Sequence, residues 1–352
     1  NKKYRSDTMK ILYGIQGTGH GHISRAKELL PRLARHASID VLLSGGNSAM
    51  GLEDFIAYRK HGVSLSYDDQ GGISFLNTLL DLRPISFVKD VSRVPLQSYD
   101  LVISDYEPIS AWAARLKHIP CVALSHQASF LSSHTPRPKQ QSQVAEAILQ
   151  HFAPAERAIG FHFRRYDRFI EPPIIRSPIR SLRATNENHI TVYLSAFHHD
   201  VLIKLLGQIK EVDWHIFSPY CSNPVHQEHI RVYPVSNEPF LDSFASCKGV
   251  ICNAGFETCA EAMYLGKKLA AIPIQRQYEQ QCNAMAMQEM GIKIFTDIKS
   301  HIGKVRGWLE NAEVITIDDI ADPEKVIQQL LEIGSESYSV SASHSEKLSF
   351  IR

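Results

Sequence analysis

At 352 residues the chain is longer than one hydrophobic core usually fills, so two domains are expected, and 44% apolar residues is enough to build their cores. Lys and Arg (38) balance Asp and Glu (37) for a formal charge of +1, so nothing suggests a phosphate backbone as the main partner and no nucleic acid is expected. No apolar run reaches the roughly 20 residues of a membrane-spanning helix, residues 1–8 are polar rather than signal-like, and six cysteines without a CxxC pair read as buried thiols of a reducing compartment, the cytoplasm.

The first predicted strand, Lys10–Ile15, runs into Gly14-Ile15-Gln16-Gly17-Thr18-Gly19-His20-Gly21-His22, and apolar Ala26, Leu29, Leu30 and Leu33 then mark a helix over 23–35. The loop approaches the dinucleotide pattern GxGxxG, but His22 occupies the third glycine's place. The second strand, Ile39–Ser44, ends in Ser44-Gly45-Gly46 without the acid that would hold a ribose, so a nicotinamide cofactor is not expected. What the loop offers is two imidazoles, His20 and His22, at the start of a helix, where the dipole disfavours added positive charge and so suits a general base. A metal pair of the HxH kind, completed by Asp105 and His126, is a second reading; simple packing of the turn is a third.

Strands Val63–Tyr67, Leu101–Ser104, Cys121–Ser125 and Ala158–Phe163 follow. Asp105 ends the fourth strand and emerges on the same sheet edge as the glycine loop, where it either holds an imidazole N–H or caps the helix that begins near Glu107. His126 and Gln127 leave the fifth strand on that edge too. The polar stretch Ser132–Gln143 reads as a mobile loop. Apolar segments Ile73–Leu80 and Ile85–Val88 read either as core helices or as a face that docks a lipid-bearing acceptor at a membrane surface.

Prolines 172, 173 and 178 deny Glu171–Asn188 a helix or sheet interior and mark a linker. The rhythm then restarts with strands His189–Leu194, Trp214–Ser218, Val232–Val235, Val250–Asn253, Leu269–Ile272 and Ile292–Phe295. Two doubly wound, Rossmann-like α/β domains facing across a cleft are expected: residues 9–170, linker 171–188, residues 189–334, and a tail 335–352 that packs back on the first domain. In the second domain the apolar run Val250–Cys252 ends at Asn253-Ala254-Gly255 and opens a helix, whose unsatisfied N–H groups and dipole form a phosphate site. Glu261 follows at a distance suited to a ribose. No DxD-type acidic pair stands at a strand end, and Asp68-Asp69 precede glycines in a loop, so neither a metal nor a cofactor is expected.

Together these segments resemble the GT-B glycosyltransferases, particularly the branch of the lipid II N-acetylglucosaminyltransferase, the diacylglycerol glycosyltransferases and the UDP-glucuronosyltransferases. Asn253 to Ala262 is similar to that family's donor signature, and Pro273 to Ala284 to its Pro-rich turn with an acid-Gln pair. Gly17-Thr18-Gly19 to His22 is similar to its GTGGH loop, with His20 where relatives often have Gly and Arg25 where many have Pro. The resemblance implies an inverting, metal-independent transfer from a nucleotide-diphosphate sugar, a UDP-sugar, to a hydroxyl acceptor such as a cell-envelope lipid or glycan. It makes His22 the base, oriented by Asp105, with His20 the rival. Gly255, Glu257 and Thr258, with Ala254, Asn253 and Ser195 beside them, would meet the diphosphate. Glu261 would meet the ribose, Glu279, Gln280 and Gln281 the sugar hydroxyls, and Val235 the base. Gly17, Thr18, Gly19, Arg25, His126 and Gln127 would form the acceptor side. Asn253 departs from the His that many relatives carry there. Rival readings are a UDP-sugar 2-epimerase and a non-enzymatic nucleotide-sugar-binding protein. Peripheral contact with the inner face of the membrane stays open.

Overall fold

The computed structural model describes residues 8–17, 20–45, 51–60, 84–317 and 319–349, with backbone alone at 20, 237 and 337–349. Strands β1 (Lys10–Gln16), β2 (Ser38–Ser44), β3 (Ile56–Lys60), β4 (Leu101–Asp105), β5 (Cys121–Ser125), β6 (Arg157–Phe161) and β7 (Ile170–Glu171) form one sheet in the order β3-β2-β1-β4-β5-β6-β7. Every pairing in it is parallel. β4 and β5 are buried along their whole length, as strands covered on both faces must be, which is why they read as unbroken apolar runs.

The second sheet contains β8 (His189–Tyr193), β9 (Asp213–Ser218), β10 (Val225–Gln227), β11 (Ile230–Pro234), β12 (Gly249–Asn253), β13 (Lys268–Ile272) and β14 (Lys293–Ile294), in the order β10-β11-β9-β8-β12-β13-β14. Only β10 runs antiparallel to its neighbour. In each sheet the winding direction reverses beside its first strand, between β1 and β4 and between β8 and β12. Such reversal points leave a crevice at the carboxyl ends of the strands, where ligands of open α/β sheets bind. A continuous core joins Leu29, Ile103 and Phe161 of the first domain to Phe256, Cys259 and Met263 of the second. Trp214 anchors a separate core on the outer face of the second sheet.

The third strand lies at Ile56–Lys60, whereas the expected strand Val63–Tyr67 lies outside the described residues, as does Ile73–Leu80. The linker is structured: Glu171 completes the first sheet and a short helix spans Ser177–Arg180. Ser132–Gln143, expected as a free loop, is fastened instead. Ser132 donates to Asp167 at 2.8 Å, Thr135 to the Ser129 carbonyl at 2.7 Å, and Arg137 to Glu146 at 2.6 Å. The last helix, Pro323–Ser349, returns to the first domain earlier than the expected boundary at 334. Glu324 pairs with Arg32, and Gly334 lies against Met9 and Leu101. All six cysteines are free and buried.

His162, fully buried, packs among the rings of Phe130, Phe163, Tyr166 and Phe256. Its Nδ1 accepts from the Phe163 N–H at 2.9 Å. Burial, helped by the charges of His126 and Arg137, pushes its imidazole well below the ordinary 6.5. The stacked His215 is pushed down to about 4, chiefly by burial and then by His189. Below about pH 6.5 the unfolded chain therefore binds protons that the folded chain refuses, and stability falls on acidification by up to about 1.4 kcal/mol per pH unit for a fully buried group. Urea midpoints are expected to drop between about pH 7 and about pH 5.5, and to drop less in His162→Phe.

Candidate active site

The first domain supplies a buried polar triad of His22, Arg25 and Asp105. His22 lies in the first turn of helix His20–Leu33, and Asp105 is the last residue of β4, so both stand at the crevice edge. The His22 Nδ1–H donates to Asp105 Oδ1 at 2.6 Å. Arg25 donates to the same carboxylate twice, Nε to Oδ2 at 3.0 Å and Nη2 to Oδ1 at 2.7 Å. Asp105 is wholly buried; burial pushes its carboxyl up, but Arg25 and His22 outweigh that and leave it below the ordinary carboxylate range. An ionised Asp105 fixes the proton on Nδ1 and leaves Nε2 as the ring's basic atom. Helix Pro108–Lys117 is capped by Glu107, whose carboxylate accepts from the Ile109 and Ser110 N–H groups, so Asp105 has no capping duty. Tyr106, just after it, takes a left-handed φ of 54°, the kind of strain that collects at functional edges.

The second domain supplies an open helix start. Gly255 is the N-cap of helix Phe256–Tyr264, which has no side-chain cap, and a Cβ built at Gly255 would meet nothing within 4 Å. The N–H groups of Phe256, Glu257 and Thr258 thus lack a capping acceptor, with the helix dipole behind them. Asn253 is a staple beneath this turn. Its Oδ1 accepts from the Ser195 N–H at 3.0 Å and hydroxyl at 3.2 Å, and its Nδ2 donates to the Ile272 carbonyl at 3.1 Å, tying the ends of β8, β12 and β13 together. A neutral amide satisfies these partners where an imidazole could not match all three.

The two halves meet. The Glu257 carboxylate lies over Gly21 and accepts from Arg25 Nη1 at 3.0 Å. Glu261, on the same helix face one turn on, is gripped by Arg176 of the linker through Nε at 2.5 Å and Nη2 at 2.9 Å. Burial raises the Glu261 carboxyl; Arg176 pulls it back and Glu257 pushes it further up. His126 reaches the Phe161 carbonyl at 2.7 Å and Asn283 Oδ1 at 2.8 Å, and stacks on Phe256 with ring centres 4.1 Å apart. Gln127 donates to Glu279 at 2.9 Å, and Gln280 accepts from the Ile274 N–H at 3.0 Å. Gln280 and Gln281 lie in the first turn of helix Tyr278–Glu289, and Val235, just past β11, is exposed.

The structure therefore brings His22, Arg25, Asp105, Glu257 and Glu261 to one interface, with His126, Gln127, Glu279 and Gln280 beside them, whereas Gly17 lies against Leu43 and Ser44 at the end of β2. Thr18, Gly19 and the His20 side chain lie outside the described residues. The metal reading of His20 and His22 meets a fixed cation, Arg25, already on Asp105, with His126 turned to Asn283. Among the described residues the group that could gather a metal is His198, His199 and Asp200, at the start of another helix. Arg176 and Phe256 were not singled out from sequence: the arginine lies in a proline-rich stretch, and only a known domain approach reveals that it faces Glu261.

The sequence pattern of glycosyl transferase family 1 matches residues 9–311. A glycosyltransferase of uncharacterised activity from Methanosarcina acetivorans is 25% identical over 349 residues, covering 87% of this chain and 86% of its own. The fold is similar to that of MurG from Acinetobacter baumannii, with a TM-score of 0.57 at 13% identity over 92% of this chain and 99% of that one. It is also similar to a UDP-glucosyltransferase from Polygonum tinctorium, with a TM-score of 0.57 at 13% identity over 95% and 94%.

Proposed function

The chain belongs to glycosyl transferase family 1, and as a GT-B glycosyltransferase using a nucleotide-sugar donor we propose that it carries out an inverting, metal-independent transfer from a UDP-sugar to a hydroxyl. The observation that carries this reading is the opposition of a buried His22–Asp105 pair to an uncapped helix start with free space above Gly255. The donor diphosphate lies against the N–H groups of Phe256, Glu257 and Thr258, with the Thr258 hydroxyl and the Ser195 loop alongside. Glu257 contributes its backbone there, since its carboxylate is paired with Arg25. Glu261 accepts the ribose hydroxyls through the lone pairs that its bidentate pair with Arg176 leaves free, Val235 borders the base, and Glu279, Gln280 and Gln281 hold sugar hydroxyls.

His22 Nε2 takes the acceptor proton as that oxygen attacks the anomeric carbon, and Asp105 stabilises the imidazolium that forms. The bond from the anomeric carbon to the diphosphate breaks on the opposite face, and its charge grows where helix N–H groups can receive it without a divalent ion. The acceptor is a cell-envelope lipid or glycan met at the inner face of the membrane. Ile85 and Val88, exposed together on helix Pro84–Arg93, support an apolar approach there. No described helix is long and apolar enough to cross a membrane.

Calorimetric titration with UDP, thymidine diphosphate and their sugars, followed by mass spectrometry of a lipid extract incubated with the donor that binds, tests this. UDP at 100 times its dissociation constant is expected to stabilise the fold by about 2.7 kcal/mol and so raise its melting temperature. Tighter binding of the thymidine nucleotide would reassign the base. Conversion of the sugar without any acceptor would turn the reading to an epimerase.

A further inference from the structure

We propose that Arg25 is a positioning residue that ties assembly of the His22–Asp105 pair to closure of the two domains. Its kinetic consequences rest on the transfer reading above; its effect on His22 rests on geometry alone. The guanidinium uses three edges at once. Nε and Nη2 hold both oxygens of Asp105, and the Oδ1 so held is the atom that accepts from His22. Nη1 reaches into the other domain, to Glu257 in the first turn of the donor helix. A planar fork fixes these directions relative to one another, so the plane of Asp105 and the approach of Glu257 are set together.

Gly21 makes that approach possible. A Cβ there would lie 2.5 Å from the Glu257 carboxylate, so only a bare backbone lets the carboxylate descend to Arg25. The Arg25 side chain is 4% exposed, and with the domains apart its outer edge would face water instead of a second carboxylate. Closure thus completes the charge balance of a buried cation shared with the proposed base. Arg25 also acts on the ring directly: Nη2 lies 3.3 Å from His22 Nδ1, so its charge opposes the imidazolium that Asp105 favours. Among the described residues, the charged and titratable groups around His22 are Asp105 from β4, Arg25 from its own helix, Glu257 from the donor helix through Arg25, and Tyr13 from β1 beside Asp105 and Arg25. Burial, with Asp105, pushes the Tyr13 phenol well up.

The test follows the His22 ring resonances against pH by NMR in Arg25→Gln, Arg25→Lys and Glu257→Gln, with the pH profile of kcat/KM for the same proteins. Arg25→Gln is expected to move the His22 titration and the acid limb of the profile up by about one pH unit and to lower kcat by tenfold or more. Arg25→Lys keeps the charge, so the titration stays near wild type, but a point charge cannot hold both carboxylates and kcat still falls. Glu257→Gln lowers kcat too, and moves the titration slightly down because the cation loses a counter-charge. The double variant is expected to be no slower than Arg25→Gln alone. An unmoved titration in Arg25→Gln, or losses that multiply in the double variant, overturns the proposal. Should Arg25→Gln fail to fold, an unmoved titration and full kcat in Glu257→Gln overturns it. A wild-type protein without nucleotide-sugar turnover counts against the transfer reading and leaves the NMR titration to decide on Arg25.

Discussion

His22→Ala is expected to slow single-turnover transfer by about 10²–10⁴-fold while nucleotide affinity stays within about twofold of wild type. The split follows from position. His22 is hydrogen-bonded to Asp105 with Arg25 beside it in the first domain, and that hydrogen bond does not reach the donor half. Its loss removes proton transfer and leaves the helix start at Gly255 and the Glu261 carboxylate untouched. His20→Ala is the control for the rival base, and its rate is expected to remain within a few fold. If the two variants exchange these outcomes, His20 is the base.

Glu261→Ala is expected to act on the other side, weakening UDP by about 10²–10⁴-fold and lowering stability together. Two hydrogen bonds to a ribose are lost, each charge-assisted and worth about 1.5–3 kcal/mol. Arg176 loses its bidentate partner as well. Breaking a fully buried pair costs about 3–5 kcal/mol, but the Arg176 side chain is 26% exposed, so about 1–3 kcal/mol is expected here. A 2′-deoxyribonucleotide separates the effects. It should bind the wild type more weakly than UDP and lose less than UDP in Glu261→Ala; equal losses for both nucleotides would place Glu261 in the linker's packing rather than at the ribose. Arg176→Ala should cost stability with a smaller change in that discrimination.

Much of this arrangement was legible in the sequence because its signals are local. The strand ends at Asp105 and Asn253 fall one residue beyond, or at, the expected positions, since both strands are short apolar runs ended by a polar residue. The helix start after Gly255 was legible for the same reason. What stayed hidden is non-local. The β10 edge strand is exposed along its whole length and carries no apolar signature. Asp105 had two sensible partners, a helix start two residues away and an imidazole across the crevice, and only the presence of Glu107 at the cap decides between them. Arg25 was expected on the acceptor side, with nothing to tie it to two carboxylates. Its two carboxylates lie 80 and 232 residues further along the chain, distances at which spacing says nothing.

Water can stand in for the acceptor, which makes one measurement possible before any acceptor is known. Slow hydrolysis of the α-linked nucleotide sugar that binds can be followed by proton NMR, reading which anomer of the free sugar appears before mutarotation. Attack by a water deprotonated at His22, on the face opposite the diphosphate, predicts that the β-anomer appears first and that His22→Ala suppresses its release. Release of the α-anomer first, or an undiminished rate in His22→Ala, would contradict it.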